Sequence, residues 1–235
     1  DGIRDCLLSR GLGDVYKRQV YNLCTNKLKG DMPLKWWIQK DKPYVGKTKL
    51  DYRVEANLSL VEKFVSMGVP RKQIFVTGHS CGGLTTLLFF SRHPDKAAGG
   101  ISYMHACFGK LSKQYKVKKL GKQEALAKFA KKRPGPAKMR AKFENEMKAV
   151  NVPLLAFTHP KDSYEGLLSD WMDENKNINR IVISQDYKIN GKKCARKNRS
   201  DLEPVKDGHS MDQATCFQFY NPQILSYISS RVQRP

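Results

Sequence analysis

The sequence predicts an α/β domain, in which a mostly parallel sheet carries helices on both faces. Short apolar runs alternate with amphipathic segments along the 235 residues, and this alternation is typical of parallel strands joined by crossover helices. The length is sufficient for one domain with a sizeable hydrophobic core. Neither internal repeats nor low-complexity tracts interrupt the pattern. A single domain over residues 20–235 is therefore predicted.

The first nineteen residues, DGIRDCLLSRGLGDVYKRQ, are predicted to be a non-native leader. They resemble the translated read-through of a sequencing adapter that contaminates many metagenome-derived reading frames, and GLGDVYKRQ carries most of the likeness. Residues 1–19 are therefore excluded from the fold. The alternative is a genuine basic N-terminal arm.

Two elements are predicted before residue 70. The stretch QVYNLCTN is a short strand candidate, and an irregular stretch follows it as far as Leu50. Gly68 and Pro70 mark the end of the helix that comes next. The apolar residues of that helix recur at i, i+4, i+7 and i+11 and so share one face: Val54, Leu58, Val61 and Val65.

Further strands and helices alternate along the rest of the chain. QIFVTG, AAGGISYM, VPLLAFT and NRIVISQ are predicted to be buried strands, and LTTLLFFSRH and YEGLLSDWMDEN to be helices. A polar loop over residues 186–215 then leads to a last helix near FQFYNPQILSYISSRV, with Pro222 early in it or at a break.

A strongly basic segment over residues 110–148, here named the basic insertion, separates AAGGISYM from VPLLAFT. It holds fourteen Lys or Arg and three Glu, and it supplies much of the net charge of +21. Two prolines and a glycine in RPGP, residues 133–136, prevent one continuous helix. Clustered cations are typical of phosphate binding, but the three aromatics here are too sparse for base stacking. A solvated, partly helical cap is therefore predicted, and nucleic acid is not the expected partner.

The stretch FVTGHSCGGLTTLLFF, residues 75–90, places glycines, a serine and a cysteine between two apolar runs. This pattern is typical of a very sharp turn from a strand into a helix, where a strained central residue stands clear of the sheet and bulky flanking residues would clash. Ser80 is the central residue and the candidate nucleophile, with Gly78 and Gly82 on either side. The N–H of Cys81, at the start of the helix, is the expected oxyanion donor.

In this context VTGHSCGG resembles the nucleophile elbow of the α/β-hydrolase fold, in its esterase, dienelactone-hydrolase-like and prolyl-oligopeptidase-like branches. The resemblance runs from about Val20 to the C-terminus and implies the chain order nucleophile, acid, histidine. On that order Asp162, just past VPLLAFT, takes the acid role, with Asp186 as the alternative after the next strand. His209, in the loop before the last helix, takes the role of general base.

Nearby polar residues are given structural roles. His159 is expected to shape the loop beside Asp162, and Gly208 to relieve the backbone beside His209. Cys81 lies one position past the turn, so it is interpreted as a small residue packed behind the elbow and not as a nucleophile. No cofactor is implied. A metal site is not expected either, because only the first two of the four candidate ligands are close in sequence: His105, Cys107, His159 and His209.

The cysteines leave one disulfide hypothesis. Cys6 lies in the predicted leader, and Cys24, Cys81 and Cys107 have no spacing typical of a zinc site. A disulfide between Cys194 and Cys216, which bracket the polar loop, is plausible if the protein is exported. The sequence does not distinguish a cytoplasmic from an exported protein, nor does it indicate an oligomeric state. It contains no run of eighteen apolar residues that could form a transmembrane segment.

The resemblance also implies strands that the sequence does not show. VYNLCTN most resembles the fourth of eight strands, so the first three are expected to be absent. The second oxyanion donor usually comes from the loop after the third strand, and no segment matches that loop. An incomplete oxyanion hole and an exposed sheet edge are therefore expected.

The leading hypothesis is a serine hydrolase that cleaves a small carboxylic ester through Ser80, His209, Asp162 and an acyl-enzyme. The basic insertion would draw anionic substrates by electrostatic steering. One alternative is a prolyl-oligopeptidase-like serine peptidase. Another is a catalytically silent hydrolase-like protein that binds nucleic acid or an acidic surface through the basic insertion.

Overall fold

The computed structural model describes residues 47–183, 207–209 and 220–232, together with the backbone of four short strands between residues 188 and 203. The predicted leader and the strand candidate VYNLCTN lie outside the described residues. Asp186, Cys194 and Cys216 also lie outside them. The expectations about the first strands, the second oxyanion donor and the Cys194–Cys216 disulfide therefore stay predictions.

Four parallel strands form the sheet of the described residues, which confirms the predicted α/β class. Since all four run in the same direction, their carboxyl ends lie along one edge of the sheet, where the loops that follow can build a common site. In this part of the chain β1 and β4 are the edge strands. The order in the sheet is the order along the chain: β1 (Phe75–His79), β2 (Gly99–Tyr103), β3 (Leu154–Thr158) and β4 (Ile178–Val182).

Helices cover both faces of this sheet, as predicted. Successive side chains of a strand point to opposite faces, and β3 accordingly buries Ala156 on one side and Phe157 on the other. The helices α1 (Lys49–Ser66) and α2 (Cys81–Arg92) pack on the first side. The terminal helix α7 (Asn221–Arg231) packs on the second.

The first helix follows the predicted pattern closely. Thr48 and Asp51 form a capping box in which each side chain accepts a hydrogen bond from the other residue's backbone N–H. Val54 and Val61 are buried on the predicted apolar face. The helix ends at Ser66, shortly before Gly68, which has a left-handed φ of +90°. The helix is thus fixed by local signals and by one buried face.

The basic insertion forms four helices, and their labels are α3 (Leu111–Gln114), α4 (Val117–Leu120), α5 (Lys122–Lys132) and α6 (Pro134–Lys148). The predicted break at RPGP is confirmed, because α5 ends before it and Pro134 begins α6, where a missing N–H costs no helical hydrogen bond. Phe129 and Phe143 are each only 1% exposed and belong to the core. These two rings are therefore not available for stacking on bases.

Two predicted segments differ in detail from the structure. The helix expected at YEGLLSDWMDEN is a 3₁₀ helix over Gly166–Glu174. Within the predicted polar loop, the backbone forms two short antiparallel pairs. Among the described helices, none combines the length and the apolar character that crossing a bilayer requires. The short strands are β5 (Lys188–Ile189), β6 (Lys192–Lys193), β7 (Arg196–Asn198) and β8 (Asp201–Glu203).

Candidate active site

Ser80 lies in the turn between β1 and α2, with φ and ψ of 57° and −122°. A left-handed φ is costly for a residue with a side chain, and such residues are frequent at functional sites. Three backbone hydrogen bonds hold this conformation. The N–H of Ser80 donates to the Tyr103 carbonyl at 3.0 Å, and its carbonyl accepts from Ala106 at 3.0 Å and Leu84 at 3.1 Å. The turn is thereby joined to the end of the neighbouring strand β2.

The glycines around Ser80 have unequal importance, which corrects one expectation. A Cβ added at Gly78 would lie 2.3 Å from the backbone carbon of Gly82, so no side chain fits at Gly78. A Cβ at Gly82 would have no atom within 4 Å. The expected clash of a side chain at both flanking positions is thus wrong for Gly82. Gly78 is needed because the backbone of Gly82 lies where a side chain at Gly78 would be. Gly82 itself has room for a Cβ atom.

His209 lies next to Ser80, although 129 positions separate them in the chain. Its Nε2 is 2.8 Å from Ser80 Oγ, and its Nδ1 is 3.1 Å from Asp162 Oδ2. An ionised carboxylate can only accept hydrogen bonds, so Nδ1 carries the proton when the imidazole is neutral. Nε2 is then left to accept from the Ser80 hydroxyl. The three predicted residues thus form one hydrogen-bonded row, here named the Ser80–His209–Asp162 row.

Asp162 is buried, with 3% of its surface exposed. Its second carboxylate oxygen, Oδ1, accepts the backbone N–H of Tyr164 at 2.7 Å, and its own N–H donates to the His159 carbonyl at 3.0 Å. The carboxylate is therefore fixed on both oxygens, one toward the loop backbone and one toward His209. A fixed acceptor is the arrangement that orients an imidazole.

Three other groups fix the position of His209. The Tyr164 ring stacks on the imidazole with 3.9 Å between ring centroids. His79 Nε2 donates to the His209 carbonyl at 2.7 Å, so His79 also holds residues 207–209, here named the histidine loop. Asp207 Oδ1 accepts the backbone N–H of His209 at 3.1 Å.

Asp207 is a site residue that the sequence reasoning missed. Its carboxylate also accepts from the backbone N–H and the hydroxyl of Ser163, at 3.1 and 2.9 Å. It thus joins the histidine loop to residues 159–165, here named the acid loop. Burial alone would raise the pKa of Asp207, but hydrogen bonds from His209 and Ser163 hold it below its usual value. Its place two residues before His209 was the available signal, because Asp commonly accepts a backbone N–H two residues on.

His159 supports the acid loop, as expected, and its ring also lies close to Gly208 of the histidine loop. Its Nδ1 accepts the N–H of Lys161 at 2.9 Å, and burial lowers its pKa to about 4. A Cβ added at Gly208 would lie 2.3 Å from the His159 ring. Gly208 therefore relieves crowding against His159, in addition to any freedom that it gives the backbone beside His209.

A buried cation joins the basic insertion to the acid loop. Arg140 of α6 forms two ion pairs: its Nη2 lies 2.8 Å from Glu165 Oε2, and its Nη1 lies 2.7 Å from Glu144 Oε2. Burial would lower the pKa of Arg140, but the two carboxylates raise it above its usual value. A small cavity with room for about one water molecule lies beside this cluster. His105 also lines this cavity. Burial lowers the pKa of His105 to about 3.

Cys81 is the first residue of α2, and its sulfur forms a disulfide with Cys107. Cys81 packs against the core behind the elbow, as interpreted, but its disulfide partner was not predicted from the sequence. Because its sulfur is in the disulfide, Cys107 is not available as a metal ligand. Among the described residues, no group of three or more His, Cys, Asp or Glu side chains could hold a metal ion. As the first residue of its helix, Cys81 has an N–H without a partner inside that helix.

No protein-family model matches the chain, and no curated protein matches its sequence. Similar solved structures include a predicted CIB-like hydrolase from Thermoplasma acidophilum, with 11% identity and a TM-score of 0.41 over 75% of this chain and 60% of that one. An esterase from Pyrococcus furiosus has 14% identity and a TM-score of 0.47 over 78% of this chain and 63% of that one. A monoacylglycerol lipase from Paleococcus ferrophilus has 15% identity and a TM-score of 0.46 over 78% of this chain and 77% of that one. The chain spans less than two thirds of the length of the first two of these structures, the hydrolase and the esterase.

Proposed function

We propose that this chain is a serine hydrolase of the α/β-hydrolase type that cleaves a carboxylic ester. The observation that supports this most is the Ser80–His209–Asp162 row, in which a serine hydroxyl at a strained turn lies 2.8 Å from an imidazole backed by a buried carboxylate. A serine hydroxyl is a weak nucleophile until a base takes its proton. The row provides that base and the acceptor that orients it.

The first half of the reaction forms an acyl-enzyme. Ser80 Oγ attacks the ester carbonyl while its proton passes to His209 Nε2, and the resulting imidazolium is stabilised by Asp162. The N–H of Cys81 donates to the oxyanion of the tetrahedral intermediate. The imidazolium then returns its proton to the leaving alcohol as the carbon–oxygen bond to that alcohol breaks.

The second half releases the acid. A water molecule loses a proton to His209 Nε2 and attacks the acyl carbon, giving a second tetrahedral intermediate. Ser80 Oγ then leaves and recovers the proton from His209. All of these transfers use His209 Nε2 alone, because Nδ1 remains hydrogen bonded to Asp162 throughout.

Labelling with a fluorophosphonate probe tests the activated serine directly. We expect the folded chain to be labelled, and Ser80→Ala and His209→Ala to lose labelling while circular dichroism shows them folded. Ser66→Ala is a matched control, because the Ser66 hydroxyl donates to the Lys63 carbonyl at the end of α1, away from the elbow. Undiminished labelling of the Ser80→Ala variant would refute the assignment of the nucleophile.

Steady-state assays on unlabelled protein then distinguish ester hydrolysis from peptide hydrolysis. We expect turnover of p-nitrophenyl esters of short acids, and loss of that turnover in Ser80→Ala. An aminoacyl-proline amide is the substrate that a prolyl-oligopeptidase-like enzyme would cleave. Faster cleavage of the amide than of the esters would replace the proposed reaction by the peptidase alternative.

An anionic substrate is proposed from the position of Lys110. Its Nζ lies 5.6 Å from the centre of the Tyr164 ring, which itself stacks on His209. Lys110 is exposed, so its charge is available to a substrate that approaches the imidazole. We expect the monoanionic ester of a dicarboxylic acid to be preferred over a neutral ester of equal length.

The variant Lys110→Met tests this preference. We expect it to lower kcat/KM for the anionic ester by up to about tenfold and to leave the neutral ester little changed, because steering acts on charge alone. Salt should weaken the preference of the unmodified protein in the same direction. Equal effects on both esters would count against a role for the Lys110 charge.

A further inference from the structure

Two chain segments meet at the elbow and are joined by a covalent bond as well as by hydrogen bonds. The disulfide links Cys81, directly after Ser80, to Cys107, which lies 26 positions away in the segment that follows β2. The hydrogen bonds of Ser80 to the Tyr103 carbonyl and from the Ala106 N–H join the same segments. Cys107 is buried, with 7% of its surface exposed.

The backbone on both sides of the disulfide has conformations that need support from surrounding contacts. Ser80 precedes α2 but makes no side-chain capping bond to it, so the start of the helix lacks the usual anchor. Ser80 and Met104, at opposite sides of the junction, both have left-handed φ values, of 57° and 42°. Such conformations persist only where surrounding contacts hold them. The disulfide is a contact of that kind, and it is attached to the residue whose N–H is proposed to bind the oxyanion.

We propose that Cys107 is a positioning residue, which acts through its disulfide to hold the Cys81 N–H where the oxyanion forms. The inference rests on the proposed hydrolase function. Stabilisation of an oxyanion requires a donor held in place before the charge develops, and small displacements of a donor reduce it. Because the substrate carries no oxyanion when it binds, loss of the disulfide should lower kcat and leave KM nearly unchanged.

Four proteins compared at one temperature, well below their melting temperatures, test the inference: the unmodified chain, Cys81→Ala, Cys107→Ala and the double variant. Cys81→Ala keeps its backbone N–H and loses only the tether. We expect each variant to lose about 10- to 100-fold in kcat, below the roughly 100- to 1000-fold cost of deleting a donor. If both cysteines act only through their shared bond, the double variant should lose no more than either single one.

Reduction of the unmodified protein is an independent route to the same state. A dithiol such as dithiothreitol supplies two electrons and two protons, breaks the sulfur–sulfur bond into two thiols and becomes a cyclic disulfide itself. We expect the reduced, folded protein to show the same loss of kcat as Cys107→Ala. Dithiothreitol should not change the activity of Cys107→Ala, and this control excludes effects through the other cysteines.

A boronate that mimics the tetrahedral intermediate supplies a readout that a purely structural brace would not change. We expect its affinity to fall by the same factor as kcat in the reduced protein. A lower melting temperature with unchanged kcat and boronate affinity would overturn the inference, and so would unfolding on reduction, since the bond would then serve the whole fold. Absence of fluorophosphonate labelling in the oxidised protein would instead reject the proposed function itself.

Discussion

His209 uses its two ring nitrogens for two different partners, and this division depends on one carboxylate. Asp162 can only accept at Nδ1, so it keeps the proton there and leaves Nε2 free to act on Ser80. Asparagine has a similar shape but carries an N–H₂ group that can donate. It can therefore stabilise the opposite tautomer, in which Nε2 carries the proton.

The variant Asp162→Asn is expected to lose roughly 100- to 10,000-fold in kcat for a p-nitrophenyl ester. The loss should come without unfolding, because asparagine can still accept the Tyr164 N–H through its side-chain oxygen. Steady-state kinetics and circular dichroism are the measurements. Full activity in a folded Asp162→Asn protein would show that another acid, such as Asp186, takes the role.

The two glycines that flank Ser80 give a matched pair of variants. Gly78→Ala should lower the free energy of unfolding by roughly 1–3 kcal/mol, because the added methyl group meets the Gly82 backbone. Gly82→Ala should be neutral, or stabilising by up to about 1 kcal/mol, because the site is open and alanine favours a helix. Urea denaturation of both variants measures this difference. A larger loss in Gly82→Ala than in Gly78→Ala would contradict it.

At the scale of elements, the carboxyl ends of neighbouring strands bring the site together. Ser80 follows β1, Cys107 lies in the segment after β2 and Asp162 lies in the loop after β3. The parallel order places these three loops side by side at one edge of the sheet. His209 reaches them from the far end of the chain, held by Asp207 and Tyr164.

The helix α6 has an additional role, because its buried Arg140 ties it to the acid loop. We expect Arg140→Met to lower the free energy of unfolding by about 3–5 kcal/mol, since it leaves Glu165 buried without its partner. The double variant Arg140→Met/Glu165→Leu should recover part of this loss, because both charges are then removed. Urea denaturation of the single and double variants gives the comparison.

Lys142→Met is the matched control on the same helix. Lys142 is largely exposed, and its Nζ lies 3.7 Å from Glu146 Oε1. Exposed ion pairs contribute about 0–1 kcal/mol to the free energy of unfolding. Its replacement should therefore change stability little. A comparable loss in Arg140→Met and Lys142→Met would mean that burial of the Arg140 pair is not what makes it important.

For the whole molecule, buried histidines predict how stability depends on pH. Burial lowers the pKa of His159 to about 4 and that of His105 to about 3, whereas an unfolded histidine takes up a proton near pH 6.5. Between pH 6.5 and about 4 the unfolded chain therefore binds more protons. The free energy of unfolding should fall as the pH falls, by up to about 1.4 kcal/mol per pH unit for each histidine.

Urea denaturation at pH 7, 6 and 5 measures this slope above the range in which most carboxylates titrate. The variant His159→Gln should show a shallower slope, because the His159 contribution is removed while that of His105 remains. Equal slopes in the two proteins would contradict the assignment to His159. The absolute stability of the variant does not enter the comparison.

The positive charge of the whole molecule bears on the binding alternative. With Phe129 and Phe143 in the core, the basic insertion has two fewer rings to offer to bases, and its exposed lysines remain as a solvated surface. Binding of oligonucleotides that is salt-sensitive and unaffected by Ser80→Ala would support the catalytically silent alternative. The proposed esterase activity predicts that Ser80→Ala abolishes turnover whatever the salt concentration.

The sequence was sufficient to predict the alternation of strands and helices, the turn at Ser80 and the candidates Asp162 and His209. These rest on signals within a few neighbouring residues, or on the order of such signals along the chain. Three features became evident only from the three-dimensional packing: the partner of Cys81, the open space beside Gly82 and the hydrogen bonds from Ser163 to Asp207. Each of these depends on how closely distant segments approach, such as Asp207 and Ser163 at 44 positions apart. Packing fixes such distances, and no local pattern in the sequence records them.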